Sequence, residues 1–303
     1  MPDEKLPNFF ILGAPKCGTT AVAKVISTHP DIFVPPEKEV RYFSDDSLYQ
    51  QGTAYLAERF SAAAAANIRC DASPQYIYNK KVMDRMIDLY GEELADLRFM
   101  VMLRDPVDRA YSAYWMAVRY GWEERSFDEA VEQNLKVGTE QKYQADGQFN
   151  IHSYIEAGMY FKQIEPWLKK VPEARLKIYT QEVLQQQPDV FYQQLSKYLG
   201  VELIGHVDTN MKVNQASMPR SKTIMKMTDE KSILKEIIKP FIPQNLRYRL
   251  RRSISDKNLK PTRYEPMSKK TRDLLVSVYR DDVDRLRSAI DIDLELWKSE
   301  YAK

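Results

Sequence analysis

The stretch NFFILGAPKCGTTAVAKVISTHP, Asn8 to Pro30, governs how the rest of the chain is read. Residues 8–13, NFFILG, are an apolar, aromatic-rich run ended by glycine, the pattern of a strand buried on both faces. From Thr19 onward Val22, Val25 and Ile26 recur at helical spacing, and the helix must close before Pro30. Between them lies GAPKCGTT, Gly13 to Thr20, with four residues between its two glycines and two hydroxyl residues opening the helix. Strand, glycine loop and helix together present free amides and a positive helix end to a phosphate. The nucleoside-triphosphatase form of this loop places lysine directly after the second glycine. Here Thr19 stands there and the lysine, Lys16, lies inside the loop. Lys16 can then reach the outer, transferable end of a bound phospho group, while Cys17, Gly18, Thr19 and Thr20 hold the phosphate itself. A Gly-Thr-Thr loop is also an ordinary helix start, so one junction does not decide between the two.

A second junction of the same kind follows. LRFMVMLRD, Leu97 to Asp105, is the clearest strand, and Pro106 suits the first turn of a helix running through VDRAYSAYWMAVRYG. Further strands are expected at Ile68 to Ala72 and Leu176 to Tyr179. Helices are expected at Lys81 to Tyr90, over AGMYFKQIEPWLKK, and over PDVFYQQLSKYLGV with a stop at Gly200. The alternation predicts an α/β fold, a phosphate-loop-type central parallel sheet flanked by helices. Near Ser221 the composition turns basic and proline-punctuated, and SKKTRDLLVSVYRDDVDRLRSAI, Ser268 to Ile290, is an amphipathic helix. Residues 1–303 read as a single domain, with about 221–303 a C-terminal helical extension that includes a lid.

Composition narrows the function classes. Lys plus Arg number 45 against 43 acidic residues, a formal charge of +2, which carries no global signature of nucleic-acid binding. The apolar stretch FFILGA is too short for a signal core or a membrane span, so no transmembrane anchor is expected. Two cysteines, Cys17 and Cys70, suit a reducing cytoplasm, and no Cys/His cluster suggests a metal site. Self-association is left open.

These junctions are similar to those of the sulfotransferases that use 3′-phosphoadenosine 5′-phosphosulfate (PAPS), and the resemblance covers most of the chain. FILGAPKCGTTAVAKVISTHPDI resembles the family's 5′-phosphosulfate loop. MVMLRDPVDRAYSAYW resembles its 3′-phosphate segment, in which Arg104 and Ser112 match the arginine and serine that grip the 3′-phosphate. The pair also makes sense unaided: Arg104 ends a strand with a fixed charge and a planar donor fork, and Ser112 adds a hydroxyl two turns into the helix. The competing reading pairs Arg104 with Asp105 or Asp108. NQASMPRSK, Asn214 to Lys222, resembles the late loop over the 3′-phosphate and adenosine, with Arg220 and Lys222 as donors.

The same resemblance implies PAPS as sulfuryl donor, adenosine 3′,5′-bisphosphate (PAP) as product, and no required metal. VPPEKEVRYFSDD resembles the segment that carries a glutamate base in the carbohydrate-type branch, and Glu39 is the match. The alternative for Glu39 is a loop carboxylate paired with Lys38 or Arg41. A histidine base has one candidate, His29, whose place at a helix end suggests a structural role. Two departures bear on the acceptor. Arg41 stands where histidine is usual, and Ala72 stands where many relatives have lysine after the acidic residue, here Asp71. Arg41 and Asp71 are taken as acceptor-facing, although Asp71 equally suits a turn role. The acceptor implied is a hydroxyl or amine of a carbohydrate, glycolipid or natural product. A small-molecule kinase and a non-catalytic nucleotide-binding protein are the alternatives. The basic run Arg247, Arg249, Arg251 and Arg252 reads as a solvated helix face, or as a site for an acidic substrate or a membrane surface.

Overall fold

The two apolar runs that flank the junctions become neighbours at the centre of one sheet. In a computed structural model of the chain, the residues described are 6–63, 66–137, 152–204, 217–221, 258–262 and 264–301. In chain order the sheet strands are β1 (Phe9–Gly13), β2 (Ile32–Phe33), β3 (Ile68–Asp71), β4 (Arg98–Leu103) and β5 (Leu176–Thr180). They pair in the order β2-β3-β1-β4-β5, all parallel. Every residue of β1 is buried, as is β4 after Arg98, so both faces of the central strands are covered, as the lack of polar alternation requires.

Helix α1 (Thr19–Ile26) follows β1, and α2 (Asp46–Tyr49) and α3 (Thr53–Phe60) precede β3. Helix α4 (Lys80–Tyr90) leads to β4, and α5 (Pro106–Tyr120) leaves it. After α6 (Phe127–Val137) and α7 (Tyr160–Lys170) the chain enters β5, then α8 (Gln181–Gln186) and α9 (Pro188–Leu199). Helix α9 stops at Gly200, in the left-handed conformation with φ 74°, as the sequence predicts. The chain from β1 goes outward to β2 and β3, then crosses back to β4 and β5. The carboxyl ends of β1 and β4 therefore form a switch point, where open α/β sheets leave a crevice for ligands.

The core is strongly aromatic at this centre. Phe10 of β1 stacks on Phe99 of β4 at 5.6 Å and meets Phe43 edge-on at 6.0 Å. Phe43 belongs to the loop that carries Glu39, so that loop is anchored apolarly on the sheet.

Several parts of the fold, helix α8 among them, escaped the sequence reading. Strand β2 has two residues, paired Ile32 to Ile68 and Phe33 to Arg69, too few for any periodicity. Helix α6 was not anticipated. A short antiparallel ribbon joins β6 (Ser217–Pro219) to β7 (Leu259–Pro261), whose partners lie too far apart in sequence for a local signal. Near the chain end, α10 (Lys269–Ala289) starts at Ser268, which accepts from Thr271 N, and packs on α5 and α7. Among the described residues no helix is long and apolar enough to cross a membrane.

Candidate active site

The first junction is built around close packing. A Cβ at Gly13 would lie 2.6 Å from Ile77 Cγ2, so only glycine lets the strand end pass the 74–77 turn. The next amide, Ala14 N, donates to Met102 O of β4 at 2.7 Å, which holds the loop over the switch point. Gly18 then enters α1 with φ 88°, and the helix has no side-chain cap. The amides of Gly18, Thr19 and Thr20 have no backbone acceptor among the described residues, leaving a positive helix end open for an anion. Cys17, expected among the phosphate-binding residues, is engaged within the protein. Its amide closes the loop on Ala14 O at 3.2 Å, and its thiol is buried against Tyr160 Oη at 3.5 Å. Burial pushes that thiol up to about 11, so it packs the loop as a neutral group.

Lys16 rises from this loop in a left-handed conformation, φ 73°, and its Nζ points to Met116 Sδ at 3.6 Å. Met116 lies on α5 with Ser112 and Arg119 at spacings of four and three residues, so one face of α5 looks onto the loop. Burial first, then the charges of Arg119 and Arg104, push Lys16 down to about 8. Positive charge from Arg104 and Arg119 is therefore gathered around Lys16.

Arg104 sits at the end of β4, and its expected competitors are engaged elsewhere. The Asp105 carboxylate is fully buried and accepts from Val107 N at 3.0 Å, Ser299 N at 2.8 Å and Tyr301 Oη at 2.9 Å. Asp108 pairs with Arg272 at 2.8 Å. No carboxylate among the described residues pairs with Arg104. Tyr160, which the sequence reading missed, donates to Arg104 O at 2.8 Å while lying against Cys17. One buried phenol thus ties the two junctions together. Ser112 is partly exposed on the loop-facing side of α5.

Glu39 lies in a loop under evident constraint. Apart from Lys16, the described non-glycine residues with left-handed backbone are Lys38, φ 63°, and Arg41, φ 59°, on either side of it. Such a conformation costs about 1 to 2 kcal/mol per residue, and strain of this kind gathers at functional sites. Asp71, at the end of β3, over-determines the loop. It is fully buried and accepts from Ser73 Oγ at 2.6 Å, Tyr76 Oη at 2.7 Å and Val40 N at 3.4 Å. Ser73 Oγ in turn accepts from Arg41 N at 3.0 Å, and Tyr76 Oη from Phe43 N at 3.4 Å. Three amides of the loop are thereby tied to one carboxyl, which burial raises to about 6 against the pull of these donors. Asp71 is thus buried and hydrogen-bonded within this turn. Arg41 N is tethered, but its guanidinium makes no hydrogen bond or ion pair among the described residues. The Glu39 carboxylate, 39% exposed, bonds Lys38 Nζ at 3.1 Å.

His29 is structural, as expected: it is buried, with Nε2 3.1 Å from Glu202 O and Nδ1 accepting from Asp31 N at 3.1 Å. Arg220 is exposed at the end of β6, its amide held by Asn258 O at 2.6 Å. The chain beyond β7 lies on α5, with Tyr264 stacked on Trp115 at 4.5 Å and Tyr111 Oη donating to Glu265 O. Lys222 and the run Arg247 to Arg252 lie outside the described residues.

A sulfotransferase domain model matches residues 6–247. The chain belongs to the sulfotransferase family. It is 26% identical over 201 residues to mouse (Mus musculus) heparan sulfate glucosamine 3-O-sulfotransferase 3B1, covering 66% of this chain and 48% of the relative. Against the mouse 3-O-sulfotransferase 5 the identity is 25% over 205 residues, covering 65% of this chain and 54% of the relative. The chain thus spans about half the length of the curated relatives it matches. A crystal structure of a sulfotransferase from Alicyclobacillus acidocaldarius superposes with a TM-score of 0.67 at 24% identity, covering 96% of this chain and 98% of that one. This likeness concerns the fold, and it extends to the C-terminal residues beyond the family match.

Proposed function

We propose that this protein transfers the sulfuryl group of PAPS to an acceptor hydroxyl, that of a carbohydrate, glycolipid or natural product. The observation that carries the reading is the convergence of an uncapped helix end, a lysine lowered by burial and by neighbouring cations, and an arginine with no carboxylate ion pair among the described residues, all at the switch point of the sheet. PAPS supplies a sulfuryl group on a good leaving group, so the protein's tasks are placement and charge stabilisation. The amides of Gly18, Thr19 and Thr20 receive the 5′-phosphate. Lys16 meets charge developing on the bridging and sulfuryl oxygens. Arg104 and Ser112 hold the 3′-phosphate, with Arg220 and Lys222 as further donors toward the nucleotide. No metal is needed in this scheme.

Glu39 accepts the acceptor's proton, the constrained loop holds it in place, and the free guanidinium of Arg41 faces the acceptor. The relatives named for heparan sulfate glucosamine support a carbohydrate hydroxyl as the acceptor class. Calorimetry with PAPS and PAP in the absence of magnesium tests the donor, with ATP and magnesium as the competing pair. A screen of acceptor pools with labelled PAPS then identifies the acceptor. Glu39→Gln keeps the size of the side chain and removes the proton acceptor, so turnover should fall about 100-fold with PAPS affinity nearly unchanged. Glu37→Gln, in the same loop, is the local control; a fully active Glu39→Gln protein would remove Glu39 as the base.

A further inference from the structure

The base loop places a second lysine at the phosphate end of α1. Lys38 Nζ lies 3.1 Å from Thr20 Oγ1, 3.4 Å from Thr19 Oγ1 and 3.1 Å from Glu39 Oε1. An ammonium carries three protons, and these three oxygens account for all of them. The side chain is only 14% exposed. Its backbone is fixed as well: Lys38 N donates to Pro35 O at 2.7 Å, and Lys38 O accepts from Ala72 N at 3.4 Å. Lys38 thus stands beside Ala72, which leaves a small side chain at the end of β3.

We propose that Lys38 is a second cation of the donor site, contacting the 5′-phosphate from the base loop. This inference rests on the sulfotransferase reading above. The hydroxyls that Lys38 now meets belong to the first turn of α1, whose amides are open for an anion. A charge-assisted bond to a phosphate oxygen is stronger than one to a neutral hydroxyl, so an anion at the helix end draws Nζ to itself without displacing the chain. The third bond keeps the Glu39 carboxylate beside the donor. One residue therefore joins donor binding to placement of the base, and the left-handed backbone at 38 aims the side chain inward while Glu39 stays half exposed.

Lys38→Met keeps the aliphatic stem and removes the charge. Its affinity for adenosine 3′,5′-bisphosphate should fall by about tenfold or more, whereas adenosine 3′-monophosphate, which has no 5′-phosphate, should bind within about twofold of wild type. Lys38→Arg should retain most of the bisphosphate affinity. Unchanged bisphosphate affinity in Lys38→Met overturns the proposal. Equal weakening of both nucleotides also overturns it, because a collapsed loop would not discriminate between them. Should Lys38→Met fail to fold, Lys38→Gln is measured with the same two ligands and judged by the same outcomes. A wild-type protein that binds neither nucleotide would instead overturn the donor reading itself, a result separate from any effect at Lys38.

Discussion

At the first junction, Gly13 to Thr20, α1 begins at a left-handed glycine with no side-chain cap. At the second, Arg104 to Ser112, α5 begins with Pro106, and the Asp105 side chain caps it by accepting from Val107 N. The two helix ends therefore offer a ligand different things. The open end presents backbone amides, which bind a phosphate whatever it carries. At the capped end Pro106 has no amide proton and Val107 N is taken by Asp105, so on the proposed function recognition there falls to the side chains of Arg104 and Ser112. Asp105 also holds Ser299 and Tyr301, so the C-terminal segment braces the second junction. Within the described residues α10 of this segment packs on α5 and α7. On the proposed function, the contrast gives reaction to the first junction and donor selection to the second.

The largest effect expected from that division is at Lys16. Lys16→Ala should lower turnover by about 100-fold or more, because the role proposed for Lys16 is to face charge that develops during transfer. Affinity for PAP, which lacks the sulfuryl group, should change much less. Equal losses in steady-state turnover and PAP affinity would make Lys16 a phosphate anchor and erase the distinction between the junctions. Next in size is Arg104→Ala, which removes a charge-assisted contact to the 3′-phosphate. PAPS binding should weaken by about 2 kcal/mol, roughly 30-fold, while adenosine 5′-phosphosulfate, with no 3′-phosphate, is nearly unaffected. Competition binding with the two donors reads this directly, and equal weakening would move the 3′-phosphate site elsewhere.

Both junctions were legible in the sequence because each packs its signal into a few consecutive residues: an apolar run, a glycine or proline, and a helix with apolar spacing. The strands at Phe9, Arg98 and Leu176 followed from the same local patterns, with ends shifted by a residue or so. What stayed hidden depends on contacts across the chain. Tyr160 joins Cys17 to Arg104, and Asp71 ties the amides of Val40, Arg41 and Phe43, directly or through Ser73 and Tyr76. Neither pattern has a spacing that a linear reading detects. Lys38 was passed over for a related reason: beside a glutamate it read as a local ion partner, and only the fold brings it to Thr19 and Thr20. The left-handed backbone at 16, 38 and 41 was equally invisible, since lysine and arginine carry no signal for it.

The smallest effect expected is a fraction of a proton, and it tests whether the first junction is an anion site in waiting. Burial and the charges of Arg119 and Arg104 hold Lys16 near 8, below its ordinary value of 10.5. In the free protein the charged form is therefore penalised, and this group's contribution to stability rises as pH climbs from about 8 toward the unfolded value, since the unfolded chain then binds more protons than the folded one. A bound phosphate anion offsets the neighbouring cations and favours the charged lysine. PAP binding at pH 8 should then take up about half a proton, because free Lys16 is about half deprotonated there and bound Lys16 is charged. Both phosphates of PAP are already ionised at that pH, so the ligand adds little to the count. Calorimetry in two buffers of different ionisation enthalpy measures the uptake, and affinity should decline as pH rises above 8. In Lys16→Met the uptake should vanish even where binding persists. Uptake that survives the substitution would assign the proton to another group and leave the first junction without its proposed charge on Lys16.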